Sequence, residues 1–156
     1  MKRIWITILL TGFLGLYCAS ASVASYTDGT GIVTDNITGL VWQKCIAGQT
    51  STDCSGTAIT YSWEDAIRYC TNLSLGSFTD WRLPNLKELS SLVDDSKFNP
   101  SIDPLFTGTQ LSSYWSSTTY AGLTVAAVAW IVPFNNGDPS YNNKTNTNYV
   151  RCVRGQ

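Results

Sequence analysis

The chain has 156 residues, a formal net charge of −1 and only 13% charged residues, and it contains no histidine. This length suits one domain with its own hydrophobic core. The lack of histidine excludes a Ser-His-Asp triad, a Cys-His pair and any histidine-ligated metal site.

The N-terminal segment has the pattern of a signal peptide. A basic pair at positions 2 and 3 precedes an apolar run over residues 4–17, which is too short to span a bilayer comfortably. Small residues then form two cleavage motifs. We therefore expect residues 1–21 to be removed on export, with cleavage as late as residue 24 as the alternative.

Cys18 allows a second interpretation of the same segment. A cysteine directly after an apolar run can be the lipid-modified residue of a bacterial lipoprotein, and such an anchor would then be the chain's sole membrane contact. These sites favour a small residue before the cysteine, whereas Tyr17 stands there. Ordinary cleavage that discards Cys18 is the favoured prediction. The mature protein is then secreted, periplasmic or held at the outer surface.

Periodicity predicts a hairpin followed by two helices. Residues 25–44 contain two apolar runs around a turn rich in Asp, Asn and Gly, which is typical of a β-hairpin. Ser62 is placed to cap a first helix, whose apolar residues recur at helical spacing from Trp63 onward. Asn85 is placed to cap a second helix, and Glu88 three residues later completes a capping box.

Three strand-like segments follow a loop over residues 94–112 that is rich in Asp, Ser, Asn and Pro. These segments are residues 114–120, 125–134 and 148–154. The almost wholly polar segment 135–148 separates the last two and is predicted to be a loop. There is no internal repeat and no linker. The order of hairpin, helices and strands predicts one α+β domain over residues 25–156.

Four cysteines remain after the leader, and an even number in an exported chain predicts disulfides. Four cysteines allow three pairings. Cys45 and Cys54 flank a short polar loop and most simply pair with each other, which leaves Cys70 with Cys152. The long bridge would stabilise the fold by about 4 kcal/mol in the chain-entropy model. The spacings do not fit a zinc ribbon, so we expect neither a metal nor a cofactor.

The region after the leader is acidic. Lys2 and Arg3 are two of the ten basic residues, so eight remain from residue 25 onward against all eleven acidic residues, a net charge of −3. Proteins that bind nucleic acids normally have the opposite balance. We therefore expect no nucleic-acid partner.

Six segments together resemble a known family. They are GTGIVTDNITGLVWQK, SWEDAIRYC, DWRLPNLKELSSLVD, YWSSTTY, AWIVPF and YVRCVRG. In this order and spacing they are similar to the Lcl C-terminal domain family, which is named for the C-terminal module of a Legionella collagen-like adhesin. The resemblance covers about residues 28–154.

The resemblance implies a compact domain similar to C-type lectins and formylglycine-generating enzymes, with two helices packed on a small antiparallel sheet. Family members are exported bacterial proteins, often attached to the cell surface, and similar domains occur in spirochaetal surface proteins described as endostatin-like. The best-known members bind sulfated glycosaminoglycans or extracellular-matrix components. We therefore expect an exported, non-enzymatic module that recognises host glycans or matrix proteins.

Two other functions are weighed against this one. The domain could be a structural part of the envelope that contacts another bacterial protein. It could also be a degenerate enzyme of the formylglycine-generating type, with Cys45 and Cys54 as redox-active cysteines. Those enzymes use cysteines from the late part of the fold, where this chain has only Cys152. The binding module is therefore favoured.

The candidate ligand site is placed by the same resemblance, because the ligand-facing loops of lectin-like folds lie late in the chain. The polar segment 135–148 supplies amides that can bond sugar hydroxyls and a tyrosine that can stack on a sugar ring. The predicted ligand-binding residues are Asp138, Tyr141, Asn142, Asn143 and Lys144. The alternative is a solvated hairpin loop.

A sulfated ligand would instead require clustered cations. The arginines weighed for such a basic patch are Arg68, Arg82, Arg151 and Arg154. The acidic balance of the domain argues against this patch, so the polar segment remains the favoured site.

Two aromatic motifs admit a binding interpretation but are better explained as structure. Strand alternation within YWSSTTY, residues 114–120, puts Trp115 on the core side and leaves Tyr114 and Tyr120 at the rim. In DWRLP, residues 80–84, Arg82 is expected to pair with a nearby carboxylate while its neighbours are buried.

Acidic residues in the long loop could in principle hold calcium, which takes several oxygen ligands. The residues concerned are Asp94, Asp95, Asn99 and Asp103. The Glu-Pro-Asn, Gln-Pro-Asp and Trp-Asn-Asp signatures of calcium-dependent lectins are absent from the chain. We therefore expect these side chains to form turns instead.

Overall fold

The computed structural model describes residues 25–122 and 127–155. The predicted leader, Cys18 and the beginning of the strand expected from residue 125 lie outside the described residues. The strands are β1 (Tyr26–Asp28), β2 (Ile32–Asp35), β3 (Val41–Gln43), β4 (Ser113–Thr119), β5 (Val128–Pro133), β6 (Ser140–Asn143) and β7 (Val153–Arg154). The helices are α1 (Trp63–Thr71) and α2 (Leu86–Ser90). Neither of these helices is long and apolar enough to cross a membrane.

The strands form two antiparallel sheets, so the expectation of one sheet carrying both helices is wrong. The first sheet has the order β1-β2-β3-β7, because Trp42 of β3 lies opposite Val153 of β7. The second has the order β4-β5-β6. The C-terminal segment thus pairs with the N-terminal hairpin, a contact between distant parts of the chain that local periodicity does not report.

Strand β6 lies inside the segment predicted to be a loop, residues 135–148. Its residues pair with β5, with Tyr141 opposite Trp130 and Ser140 opposite Ile131. The sequence SYNN has no alternation of apolar and polar residues, because β6 is an edge strand whose side chains are mostly exposed. Its pairing partner, rather than its own composition, makes it a strand.

Both predicted helices are present, and each begins at its predicted cap. The Ser62 side chain accepts a hydrogen bond from the Asp65 backbone N–H at the start of α1. At α2 the Asn85 side chain accepts from the Glu88 N–H while the Glu88 carboxylate accepts from the Asn85 N–H. This reciprocal capping satisfies donors that a helix of one and a half turns would otherwise leave unpaired.

The β4-β5 pair is buried on both faces, because a different core cluster packs on each. On one face Tyr114 and Val132 join a cluster that includes Leu89 of α2. On the other, Trp115 packs in a cluster that includes Ala66 of α1. The prediction that Trp115 is in the core is confirmed. The prediction of Tyr114 at the rim is wrong: its ring is fully buried, and its hydroxyl accepts from the Gln110 N–H at 2.7 Å.

The small residues in the middle of YWSSTTY bind the starts of both helices. The register of β4 against β5 shifts between Trp115 and Thr119, so the backbone between them is irregular. Trp63 at the start of α1 donates its indole N–H to the Ser116 carbonyl at 2.9 Å. Thr118 accepts the Leu86 backbone N–H at the start of α2, also at 2.9 Å. The hydroxyl-rich centre of this motif therefore connects the second sheet to both helices through hydrogen bonds.

Both predicted disulfides are confirmed. Cys45 is bonded to Cys54 across the short loop, and Cys70 of α1 is bonded to Cys152 just before β7. The long bridge fastens α1 to the C-terminal strand of the first sheet. Disulfides of this kind are typical of proteins in oxidising compartments.

Candidate functional site

Three aromatic side chains gather on the second sheet, and we call Tyr120, Trp130 and Tyr141 the aromatic cluster. The rings of Tyr120 and Tyr141 stack, with centroids 4.5 Å apart and planes inclined by 22°. Tyr120 also meets Trp130 edge to face at 5.0 Å. Ring pairs in these arrangements are attractive beyond the apolar area they bury. The cluster is thus a preformed surface rather than three independent side chains.

Strand pairing explains why these three residues meet. Trp130 and Tyr141 lie directly opposite each other on β5 and β6. Tyr120 follows β4, and its backbone N–H bonds the Val128 carbonyl of β5 at 2.9 Å. Side chains at neighbouring positions on adjacent strands share one face of a sheet. Three consecutive segments of one antiparallel sheet therefore present their rings together.

Tyr141 is the exposed member of the cluster. Its relative exposure is 51%, whereas Tyr120 and Trp130 are half-buried. One face of its ring lies on Tyr120, so the surface that it leaves accessible is largely aromatic. The ring of Tyr120 lies so close to Gly122 that a Cβ added at this glycine would be 2.4 Å from Cζ of Tyr120. The Tyr120 ring therefore packs directly on Gly122, and Tyr141 stacks on that ring.

The five predicted site residues do not lie on one surface. Lys144 sits on the α1 side of the sheet, with its Nζ 3.9 Å from the ring centroid of Trp63. The same Nζ donates to Thr119 Oγ1 at 3.0 Å. Thr119 ends β4 and Tyr120 directly follows it, so their side chains point to opposite faces of the sheet. Lys144 and Tyr141 are thus separated by the thickness of the sheet.

The two asparagines of β6 differ in how far they are engaged within the fold. Asn142 Oδ1 accepts from the Asn143 backbone N–H at 2.9 Å and from Asn146 Nδ2 at 2.7 Å. Its Nδ2 donates to Asn148 Oδ1 at 3.4 Å. Asn143 is exposed and, two residues from Tyr141, shares its face. Asn143 is therefore the better placed of the two to bond a ligand beside Tyr141.

Asp138 lies in the exposed turn before β6. Its carboxylate accepts a hydrogen bond from Asn136 Nδ2 at 2.9 Å. The pair stabilises the turn that brings the chain back from β5 into β6. The structure thus gives Asp138 a role in the turn, at the opposite end of β6 from Lys144.

The cations of the described residues are dispersed, and most are neutralised. Five of the eight basic residues between positions 25 and 155 form ion pairs. These pairs are Lys44 with Asp28, Arg68 with Glu64 and Asp65, Arg82 with Glu88, Lys97 with Asp94, and Arg154 with Asp80. The prediction that Arg82 pairs with a carboxylate is confirmed.

Arg151 cannot contribute to the basic patch weighed from the sequence. Its side chain is fully buried, with the guanidinium 4.8 Å from the ring centroid of Phe106 and Nη2 donating to Thr109 Oγ1 at 2.9 Å. Burial lowers the pKa of this guanidinium to about 10, which still leaves it charged at neutral pH. A buried arginine ties loops together but offers no charge to an external ligand.

Two of the four loop residues weighed as calcium ligands, Asp94 and Asp103, accept hydrogen bonds within turns, as predicted. The carboxylate of Asp94 accepts from Lys97 and Ser96, and these bonds lower its pKa to about 2. Asp103 accepts the Leu105 N–H at 2.8 Å. Among the residues that the structure describes, no group of three or more His, Cys, Asp or Glu side chains could hold a metal ion.

A cleft of about 550 Å³ lies near the acidic residues, and its wall is acidic too. Asp35, Asp94, Asp95 and Asp103 line it together with Tyr26. Burial, followed by the nearby carboxylates, raises the pKa of Tyr26 to about 12. The carboxylate of Asp35 is already hydrogen-bonded within its own turn, where it accepts from the Ile37 N–H and the Thr38 hydroxyl. The cleft is electrostatically unsuited to an anionic ligand.

Sequence reasoning identified Tyr141 but missed Trp130 as its neighbour and placed Tyr120 only at the rim. The missing signal was the register of β6 on β5, which places Trp130 opposite Tyr141. A pair of aromatic residues eleven positions apart on either side of a polar turn is the pattern that could have indicated it.

Comparison with protein families gives one match over most of the chain. The model of the Lcl C-terminal domain family matches residues 31–154, which include both disulfides and the aromatic cluster. No curated protein matches the chain.

Proposed function

The chain belongs to the Lcl C-terminal domain family, a module of surface or secreted proteins, and from this premise we propose that it is an exported bacterial binding module for host glycans or extracellular-matrix proteins. The proposal includes a lectin-like role without catalysis. The two disulfides support export, because such bonds persist in oxidising compartments.

The observation that carries the proposal is the exposed ring of Tyr141, backed by Tyr120 and Trp130. Tyrosine offers a large rigid surface at low conformational cost, which suits it for contacts with sugars and proteins alike. The exposed amide of Asn143 and the turn at Asp138 add polar groups at its margins. We propose that ligands contact this surface, with Asn142 and Lys144 supporting it from within the fold.

A binding screen with matched variants tests this proposal. The exported protein is applied to an array of host glycans and purified matrix proteins, beside Tyr141→Ala and Phe98→Ala. Phe98 is a fair control because it is 70% exposed but lies in the long loop rather than in the aromatic cluster. Tyr141→Ala is expected to weaken binding by about 1–2 kcal/mol, which is roughly 5- to 30-fold in affinity.

The melting temperature of each variant separates lost contact from lost fold. Tyr141 lies at the edge of the second sheet, so its truncation is expected to leave the core unchanged. If wild type and Tyr141→Ala bound the ligand equally well, the binding site would lie elsewhere on the domain. Binding to no glycan and no matrix protein would contradict the proposed function itself.

A further inference from the structure

We propose that the aromatic cluster takes an uncharged sugar chain, recognised through the apolar faces of its rings, rather than a sulfated one. This rests on the proposed function and names the chemical class of its ligand. The carbon-bound hydrogens on one face of a pyranose form an apolar patch that matches an aromatic ring, while its hydroxyls remain free to bond amides.

The first support is the geometry of Tyr141. Its ring has one face against Tyr120 at 4.5 Å and is 51% exposed. A ring stacked on a second ring presents a flat surface whose orientation is already fixed. Little side-chain entropy is therefore lost when a sugar stacks on it. Asn143, on the same face, supplies both an amide donor and an amide acceptor at the margin.

The second support is electrostatic. A sulfated chain is held by several unpaired cations acting together, whereas five of the eight basic residues between positions 25 and 155 are in ion pairs. Arg151 is buried, and Lys144 is held against Trp63 on the opposite face of the sheet. Among the residues that the structure describes, no cationic side chain lies over a ring of the aromatic cluster. The chain from residue 25 onward has a net charge of −3. The remaining basic residue, Lys87 of α2, is exposed but is a single charge, so the domain offers no cluster of cations that could hold a polyanion.

The third support is the close packing at Gly122. A Cβ added there would lie 2.4 Å from both Cζ and the hydroxyl of Tyr120, so the ring would have to move. The position of Tyr120, and through it of Tyr141, therefore depends on this glycine. Gly122→Ala disturbs the stacked surface without removing an aromatic ring or changing any charge.

The test uses the exported protein on immobilised neutral oligosaccharides of glucose, galactose and N-acetylhexosamines, each beside its sulfated counterpart. The neutral member of a pair is expected to bind at least as tightly as the sulfated one. Binding should change by less than about twofold between 50 and 500 mM NaCl, because screening acts only on charged contacts. Tyr141→Ala and Gly122→Ala should each weaken binding by more than about fivefold, while Tyr141→Phe retains it.

Three results would overturn this inference. The first is binding to sulfated members alone with a steep loss of affinity in salt, which leaves the proposed function standing. The second is binding to matrix proteins but to no sugar, which also leaves it standing and assigns the surface to a protein partner. The third is binding to none of these ligands, which removes the inference and the proposed function together.

Discussion

At the scale of single residues, Glu88 shows how a charged side chain in this domain serves the fold. Its carboxylate accepts from both terminal nitrogens of Arg82, at 2.7 and 2.8 Å, and from the Asn85 backbone N–H at 2.8 Å. The Arg82 backbone in turn pairs with Val153 of β7. One carboxylate thus joins the start of α2 to the edge of the first sheet.

Glu88→Gln is expected to destabilise the domain by about 1–2 kcal/mol, since charge-assisted hydrogen bonds exceed neutral ones and Arg82 is partly exposed to screening. Burial alone would raise the pKa of Glu88, but Arg82 and the Asn85 N–H outweigh it and lower that pKa below its ordinary 4.5. A lowered folded pKa contributes stability above pH 4.5 that is lost as the pH falls through the folded value.

Urea unfolding at pH 6 and pH 3 measures this dependence. The difference in the free energy of unfolding between wild type and Glu88→Gln should narrow at pH 3, because the carboxyl of the unfolded chain takes up a proton below its ordinary pKa of 4.5 and the lowered pKa of the folded state then contributes less stability. Glu64→Gln is the matched control, because Glu64 lies 3.8 Å from Arg68 with 80% of its side chain exposed. If the difference in the free energy of unfolding between wild type and Glu88→Gln were the same at both pH values, the charge of Glu88 would not be the cause of the stabilisation.

At the scale of elements, β6 is attached to the rest of the domain on both of its faces. Tyr141 stacks on Tyr120 on one face, and the chain just after β6 places Lys144 over Trp63 of α1 on the other. An edge strand with few apolar residues gains little from burial, so such specific contacts are what position it. The stability of β6 and the shape of the candidate site are therefore linked.

Lys144→Ala is expected to lower the free energy of unfolding by about 0.5–1 kcal/mol, the usual contribution of an exposed cation over an aromatic ring. Affinity for the ligand should fall by less than about twofold, because Lys144 supports β6 from the opposite face of the sheet and does not itself contact the ligand. Chemical denaturation and a glycan-binding titration measure the two effects separately, with Lys144→Arg expected to restore stability. A fall in affinity at unchanged stability would instead extend the ligand surface around the edge of the sheet.

The helices could be predicted from the sequence and β6 could not, for a physical reason. A helix cap is local: Asn85 and Glu88 satisfy each other's backbone donors within four residues, so the signal is contained in a short stretch. The strand SYNN is defined by its hydrogen bonds to β5, which depend on the turn and register between them. The same limit applies to the candidate site, where Tyr141 was identifiable alone but its partner Trp130 was not.

At the scale of the whole molecule, long-range contacts decide the architecture. The pairing of Trp42 with Val153 adds the C-terminal strand to the sheet of the N-terminal hairpin, and the bridge from Cys70 to Cys152 reinforces that closure. Cysteine parity predicted the bridge because only three pairings were available. No comparably small set of alternatives existed for strand pairing, so the number of sheets could not be obtained in the same way.

The two disulfides should differ in how much they stabilise the domain. Chain entropy gives about 2.5 kcal/mol for the separation of 9 residues between Cys45 and Cys54 and about 4.5 kcal/mol for the separation of 82 between Cys70 and Cys152. All four cysteines are buried, so replacing either pair with alanine removes similar packing. Loop length should therefore decide which of the two disulfides stabilises the domain more.

Thermal unfolding of the two double variants, Cys45→Ala with Cys54→Ala and Cys70→Ala with Cys152→Ala, measures this order. Replacing both partners leaves no free thiol to form a new bridge. A difference of about 2 kcal/mol corresponds to a melting temperature roughly 5–10 °C lower for the variant without the long bridge. A larger loss from the short bridge would show instead that the loop it closes is essential for packing, beyond its effect on the unfolded chain.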